Sequence, residues 1–260
     1  MRASSSPDAL ALVLPGDPET PTGGYEYDRR IVAGLRERGW EVSVHALAAS
    51  FPAPDAAALV HARDTFARIP DGRTVVVDGL ALGALPDLAA AEARRLRLVA
   101  LVHHPLAAET GLAPERAEAL CRSEARALAA VRIAVAPSAA TARALADYGV
   151  PAERIVVVEP GTDPAALADG SGGPTVELLC VAAVVPRKGH EVLIEALGSL
   201  ATRRWHLTCA GSLARSPETV ARLRHRLDEL RLAERVRLAG VLDPPALEAC
   251  LLYTSDAADE

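Results

Sequence analysis

Between residues 10 and 47 the chain runs strand, glycine-bearing loop, helix, strand, and this unit restricts the fold more than any other feature. Leu10-Ala11-Leu12-Val13-Leu14-Pro15 is a continuous apolar run of strand length. Gly16 to Gly24 is rich in breakers. Tyr25 to Arg38 then has helical periodicity, with Ile31, Val32 and Leu35 on one face and Asp28, Arg29, Arg36 and Glu37 on the other. Gly39 follows as a C′ residue, and Val42 to Leu47 is the next strand. Such a unit is the signature of a parallel α/β sheet.

The alternation continues. Arg73–Asp78 reads as a strand, and the stretch after Gly83 as a helix to about Arg95. Leu96–Pro105 reads as a strand ending in His103 and His104. A charged helix over Ala113–Ala130 carries Pro114 in its first turn, where proline is tolerated. Arg132–Ala136 is a strand, Ser138 caps a helix that runs to Asp147, and Ile155–Val158 is a strand. Glu159 to Pro174 is rich in glycine, proline and aspartate and predicts an interdomain linker. A second run follows, with strands at 176–183, 205–210 and 236–239, and helices at about 189–201, 217–230 and from Ala246.

Three parallel strands leave two open edges and little core. The tail Leu251–Glu260 fits neither the helix before it nor a further strand. The expectation is therefore a first domain over 1–164, a partial second domain over 165–250, and a non-native tail over 251–260 that ends a truncated chain.

Half of the 260 residues are hydrophobic and 3% are aromatic, which suits helices packed on a Val/Leu-rich sheet. A net charge of −6 argues against nucleic acid as a partner. No run of eighteen apolar residues exists, and the N-terminus lacks the apolar core of a signal peptide. Cys121, Cys180, Cys209 and Cys250 form no CxxC pair, and Cys180 and Cys209 lie in strand-like runs. Buried reduced thiols and a cytoplasmic setting fit. No D-x-D stands in a suitable loop and no His/Cys cluster has ligand spacing, so neither a metal nor a cofactor is expected.

The stretch with the most chemistry is Val184-Val185-Pro186-Arg187-Lys188-Gly189-His190. It joins the strand at 176–183 to helical spacing from Glu191 onward. Two cations and a glycine thus stand where orphan N–H groups and the positive end of a helix dipole converge, an arrangement that suits a phosphate or diphosphate. The plainer reading is a soluble surface Arg-Lys pair.

In their order and spacing four segments carry a resemblance. Pro21-Thr22-Gly23-Gly24-Tyr25, Leu101-Val102-His103-His104-Pro105, Val158-Glu159-Pro160-Gly161-Thr162-Asp163 and Pro186-Arg187-Lys188-Gly189-His190 resemble the glycine loop, histidine-bearing strand end, P-x-G-x-D segment and phosphate turn of retaining glycosyltransferases of family four. The resemblance implies a GT-B fold of two Rossmann-like domains facing across a cleft. It implies sugar transfer from a nucleotide-diphosphate sugar to an unknown acceptor, with anomeric configuration kept. Arg187 and Lys188 would stabilise the leaving diphosphate with the backbone N–H groups around Gly189. His103 would contact the transferred sugar, and Gly23 and Gly24 would admit the ligand. Read without it, Thr22 is a plain N-cap, the histidines are satisfied strand ends, Thr162 and Asp163 belong to a turn, and His190 only begins a helix.

The sequence departs from the family in two places. Ala182-Ala183 stands where a Gly-Arg is frequent, and the family's E-x7-E pair is absent, so the chain as given is expected to be inactive alone. A nucleotide-sugar 2-epimerase and a non-catalytic nucleotide-sugar-binding remnant stay open. No acid–histidine constellation for elimination stands out in the loops, and peripheral membrane contact also stays open.

Overall fold

The computed structural model describes residues 8–168 and 170–254. It divides into two compact units, Met1–Gly161 and Thr162–Glu260.

In the first unit, β1 (Ala9–Pro15), β2 (Glu41–Leu47), β3 (Thr74–Asp78), β4 (Arg97–Leu101), β5 (Ile133–Ala136) and β6 (Ile155–Val157) form one sheet in the order β2-β1-β3-β4-β5-β6. Every pairing is parallel. β1 is apolar throughout because helices cover both of its faces. One face packs a large core around Val13, Val75, Leu98 and Leu128, and the other a smaller one around Leu12, Leu14 and Val32. The strand order reverses between β1 and β3, and α/β sheets bind ligands beyond the carboxyl ends of strands at such a point.

The helices are α1 (Gly23–Glu37), α2 (Ala56–Ala67), α3 (Gly79–Leu82), α4 (Pro86–Glu92), α5 (Pro114–Ala129) and α6 (Ala139–Asp147). Three expectations are corrected here. Residues 48–72, unassigned from the sequence, contain α2, which Asp55 caps through Ala58 N at 2.7 Å. The helix expected after Gly83 is the shorter α4, which starts at Pro86 and ends at Glu92, and the one-turn α3 before Gly83 was not expected. β4 stops at Leu101, so His103 and His104 lie on the loop beyond it.

α5 carries a buried acid. Glu124 is 1% exposed and accepts from Leu106 N at 2.9 Å. Burial pushes its pKa from 4.5 up to about 7, against the pull of the Leu106 amide and the Tyr148 hydroxyl. A folded-state pKa above the unfolded value means that the native state holds the proton more tightly. The contribution of Glu124 to stability is then fully present below pH 4.5 and is lost as pH rises through about 7. Glu124→Gln keeps the acceptor and removes the charge. At pH 8 the variant should be more stable than the parent by up to about 3 kcal/mol, at ~1.4 kcal/mol per pH unit, and should melt at a higher temperature. Thermal melts at pH 5 and pH 8 should show the gain shrinking at the lower pH.

No helix or strand occurs among the described residues from Val158 to Thr175. The second unit holds β7 (Val176–Val181), β8 (Trp205–Ala210) and β9 (Val236–Gly240), parallel in the order β7-β8-β9. α7 (His190–Gly198), α8 (Pro217–Glu229) and α9 (Pro244–Tyr253) complete it. Its core gathers Val184, Ile194, Trp205, Leu207 and Leu223. α9 carries Leu251 to Tyr253 without a break, so those three residues do continue the preceding helix. Residues 255–260 of the expected tail lie outside the described residues.

Candidate functional site

Two groups of residues carry chemistry, one in each unit. In the first, Thr22 caps α1 by accepting from Tyr25 N at 3.2 Å, as the plainer sequence reading had it. The tyrosines of the first turn fix the helix against the strand ends. The Tyr25 hydroxyl donates to Pro15 O, and that of Tyr27 to Val158 O at 2.9 Å. This brings α1's first turn over the loop after β4. A side chain on Gly24 would place its Cβ 3.3 Å from His103 Cδ2, whereas one on Gly23 would meet no protein atom within 4 Å. Gly24 is thus accounted for by the close approach of His103, and Gly23 borders open space.

Asp28, expected on the polar face of α1, is 2% exposed. Its Oδ1 lies 2.9 Å from His103 Nε2. Asp78, ending β3 and capping α3 through Leu80 N, is also 2% exposed and has Oδ2 3.9 Å from the same nitrogen. The Tyr27 ring meets the His103 ring edge-on, with centroids 5.3 Å apart at 80°. Burial, then repulsion from Asp28, raises the Asp78 pKa to about 6, with His103 and the Leu80 amide opposing. For His103 burial opposes the charge, but the Asp28 hydrogen bond and the two carboxylates outweigh it and raise the pKa. No acid–histidine constellation stands out in the sequence; the fold builds this one from α1, β3 and the loop after β4. The three residues also have ligand atoms within 4.8 Å of one another. Hydrogen-bond spacing between Asp28 and His103 accounts for the contact without an ion.

In the second unit, Pro186–Lys188 is one turn of 3₁₀ helix that ends in Gly189 at φ 66°, ψ 23°. Left-handed Gly189 is also the N-cap of α7, and no side chain caps that helix. The amides of Lys188 and Gly189 are used within the turn, donating to Val185 O and Pro186 O. The first helical bond runs from Leu193 N to Gly189 O. The amides of His190, Glu191 and Val192, next to Gly189, therefore stand at the helix's positive end. Arg187 and Lys188 are both exposed, and Lys188 makes no ion pair among the described residues.

His190 does more than begin the helix. It is 2% exposed, with Nε2 3.6 Å from Cys180 Sγ. Cys180 pairs in register with Cys209 on the adjacent strand. Cys209 and then His190 favour the Cys180 thiolate and lower its pKa. His104, Thr162 and Asp163 are exposed.

Residues 75–166 match the model of Glycosyltransferase Family 4, a segment that spans β3 to the start of the irregular stretch and includes Asp78 and His103. Among curated proteins none matches the sequence. Among solved structures, Anabaena HepE in complex with UDP and glucose is 19% identical, with a TM-score of 0.68 over 94% of this chain and 71% of that one. Sucrose-phosphate synthase from Thermosynechococcus elongatus is 17% identical, with a TM-score of 0.69 over 94% and 72%. A glycosyltransferase from Rickettsia africae is 14% identical, with a TM-score of 0.64 over 96% and 72%. The family match is confined to residues 75–166, and the likeness to these structures is one of fold, which is GT-B-like.

Proposed function

We propose that the chain transfers a sugar from a nucleotide-diphosphate sugar to an acceptor with retention of configuration, and that the turn before α7 holds the departing diphosphate. The observation that carries this reading is left-handed Gly189, which joins two exposed cations to an uncapped helix start. When the glycosidic bond breaks, negative charge develops on the diphosphate, and fixed donors aimed at it lower the barrier. Lys188 supplies a point charge, Arg187 a planar fork, and the amides of 190–192 the dipole end. These groups would do the work without a metal.

In this reading the domain over 165–250 takes the nucleotide sugar and the domain over 1–164 the acceptor. His103 touches the transferred sugar, and the open space beside Gly23 admits a ligand. HepE is seen with UDP and glucose, so UDP-glucose is the first donor to try and hexosyl transfer the first subclass. A cytoplasmic location fits the substrate.

Calorimetric titration of the full chain with UDP and GDP tests the diphosphate site, with binding expected and lost in Lys188→Ala. Absence of binding to either nucleotide would overturn it. A product assay with UDP-glucose separates transfer, which releases UDP and builds a glycoside, from epimerisation. The Asp28–His103–Asp78 group does not favour the epimerase, because both of its carboxylates are buried against the imidazole.

A further inference from the structure

We propose that Asp28, backed by Asp78, is a positioning residue for His103: it pins Nε2 inward, favours the ring's cationic form, and turns Nδ1–H toward an oxygen of the bound sugar. The proposal rests on the reading that His103 meets that sugar.

The geometry leaves the ring little freedom. Nε2 is held at 2.9 Å from Asp28 Oδ1, with Asp78 Oδ2 behind it at 3.9 Å. The Tyr27 ring stands against it edge-on, and Gly24 backs it so closely that even a methyl group there would crowd Cδ2. Asp28 has no other recourse. Its Oδ2 is buried without a partner, so the single bond from His103 is what compensates this carboxylate. Turning the ring over would take that donor away and strand a charge that is 98% removed from solvent. The cost of that stranded charge selects one ring orientation.

Two buried carboxylates facing one imidazole also favour its cationic form, and the upward pKa of His103 agrees. The titratable groups that face the ring are Tyr27 and Asp28 from α1 and Asp78 from β3. Among the described residues no carboxylate holds Nδ1. A protonated Nδ1 has no lone pair, so it recognises only an acceptor, which in a sugar is a hydroxyl or ring oxygen. Asp28 thereby fixes which atom of His103 reads the ligand, in the way that a partner on one ring nitrogen sets the role of the other.

The test follows the His103 imidazole nitrogens by NMR across a pH titration of the full chain, in the parent and in Asp28→Asn. The parent should titrate above 6.5, the ordinary histidine value. Asp28→Asn should lower that midpoint by about one pH unit or more, and Asp78→Asn should lower it less. An unmoved midpoint in Asp28→Asn overturns the proposal. Asn keeps the shape of Asp and an acceptor for Nε2–H, and Asp78→Asn gives a second reading should Asp28→Asn not fold. Ligand binding adds a readout that general damage would not give. Asp28→Asn should weaken UDP-glucose about tenfold while leaving UDP, which lacks the sugar, unchanged. If His103→Gln leaves UDP-glucose affinity unchanged, the sugar-contact reading is the one that fails. If His103→Gln weakens it and Asp28→Asn does not, the positioning role fails.

Discussion

Replacing Lys188 by alanine is expected to cut kcat/KM for a nucleotide-sugar donor by about 10²- to 10³-fold, the usual cost of removing one donor from a developing oxyanion. Lys188 is exposed and makes no ion pair among the described residues, so the fold should not notice its loss. The melting temperature should stay within a degree or two, as surface changes usually cost less than ~0.5 kcal/mol. The loss should divide unevenly between the kinetic constants. A point charge that tracks the leaving diphosphate acts more on the transition state than on the bound donor, so kcat should fall further than KM rises. Lys188→Arg should recover part of the rate, since it keeps the charge and changes the shape of the donor. Steady-state release of UDP, measured beside a thermal melt, checks both parts. Unchanged kinetics would take Lys188 out of the mechanism and leave the turn as a solvated surface pair.

How much of this was legible beforehand depended on the range of the interaction involved. β1 stood out because an apolar run of strand length fits a sheet covered on both faces. The turn before α7 was legible because its meaning is local: cations, then a glycine, then helical spacing. α2 was not, because Ala56–Ala67 is rich in alanine and shows little contrast between faces. Its one signal was Asp55 after Pro54, a capping residue ahead of a weak helix. Asp28 was read as solvent-facing for an equally physical reason. Helical periodicity sends a charged residue outward unless something distant neutralises it, and that partner, His103, is 75 residues away in sequence. Asp78 offered a hint, since it ends a strand beside the point where sheet order reverses. Cys180 and His190 went unpaired in the sequence reading because a strand register and a buried helix start had to be known first.

Gly211→Ala is expected to do the most damage to stability, and no pattern in the sequence announces it. Gly211 follows β8, and a Cβ built there would lie 2.1 Å from the carbonyl oxygen of Ala182 and 2.7 Å from Ala183 N. Both neighbours are backbone, so no side-chain rotation can relieve the overlap. Main-chain bonds hold the two segments together on either side, Ala182 N to Ala210 O at 2.9 Å and Val184 N to Ser212 O at 3.0 Å, while Gly211 N is tied to the end of β9 through Gly240 O at 2.8 Å. Relief requires β7 and β8 to part just where the chain turns toward Pro186. A cost of about 3–5 kcal/mol is expected, within the range of the most disruptive single substitutions. Gly189→Ala makes the instructive comparison. No atom lies within 4 Å of its would-be Cβ, and the penalty comes from φ +66° alone, about 1–2 kcal/mol for a left-handed residue. The two glycines should therefore separate by property. Gly211→Ala should lose the cooperative unfolding transition of the second unit at a lower temperature. Gly189→Ala should stay folded and lose UDP affinity, because α7's amides and Lys188 are aimed through that one residue. Melting curves and UDP titrations on the two variants decide it, and equal melting temperatures would mean that strand ends and turn are not coupled through Gly211.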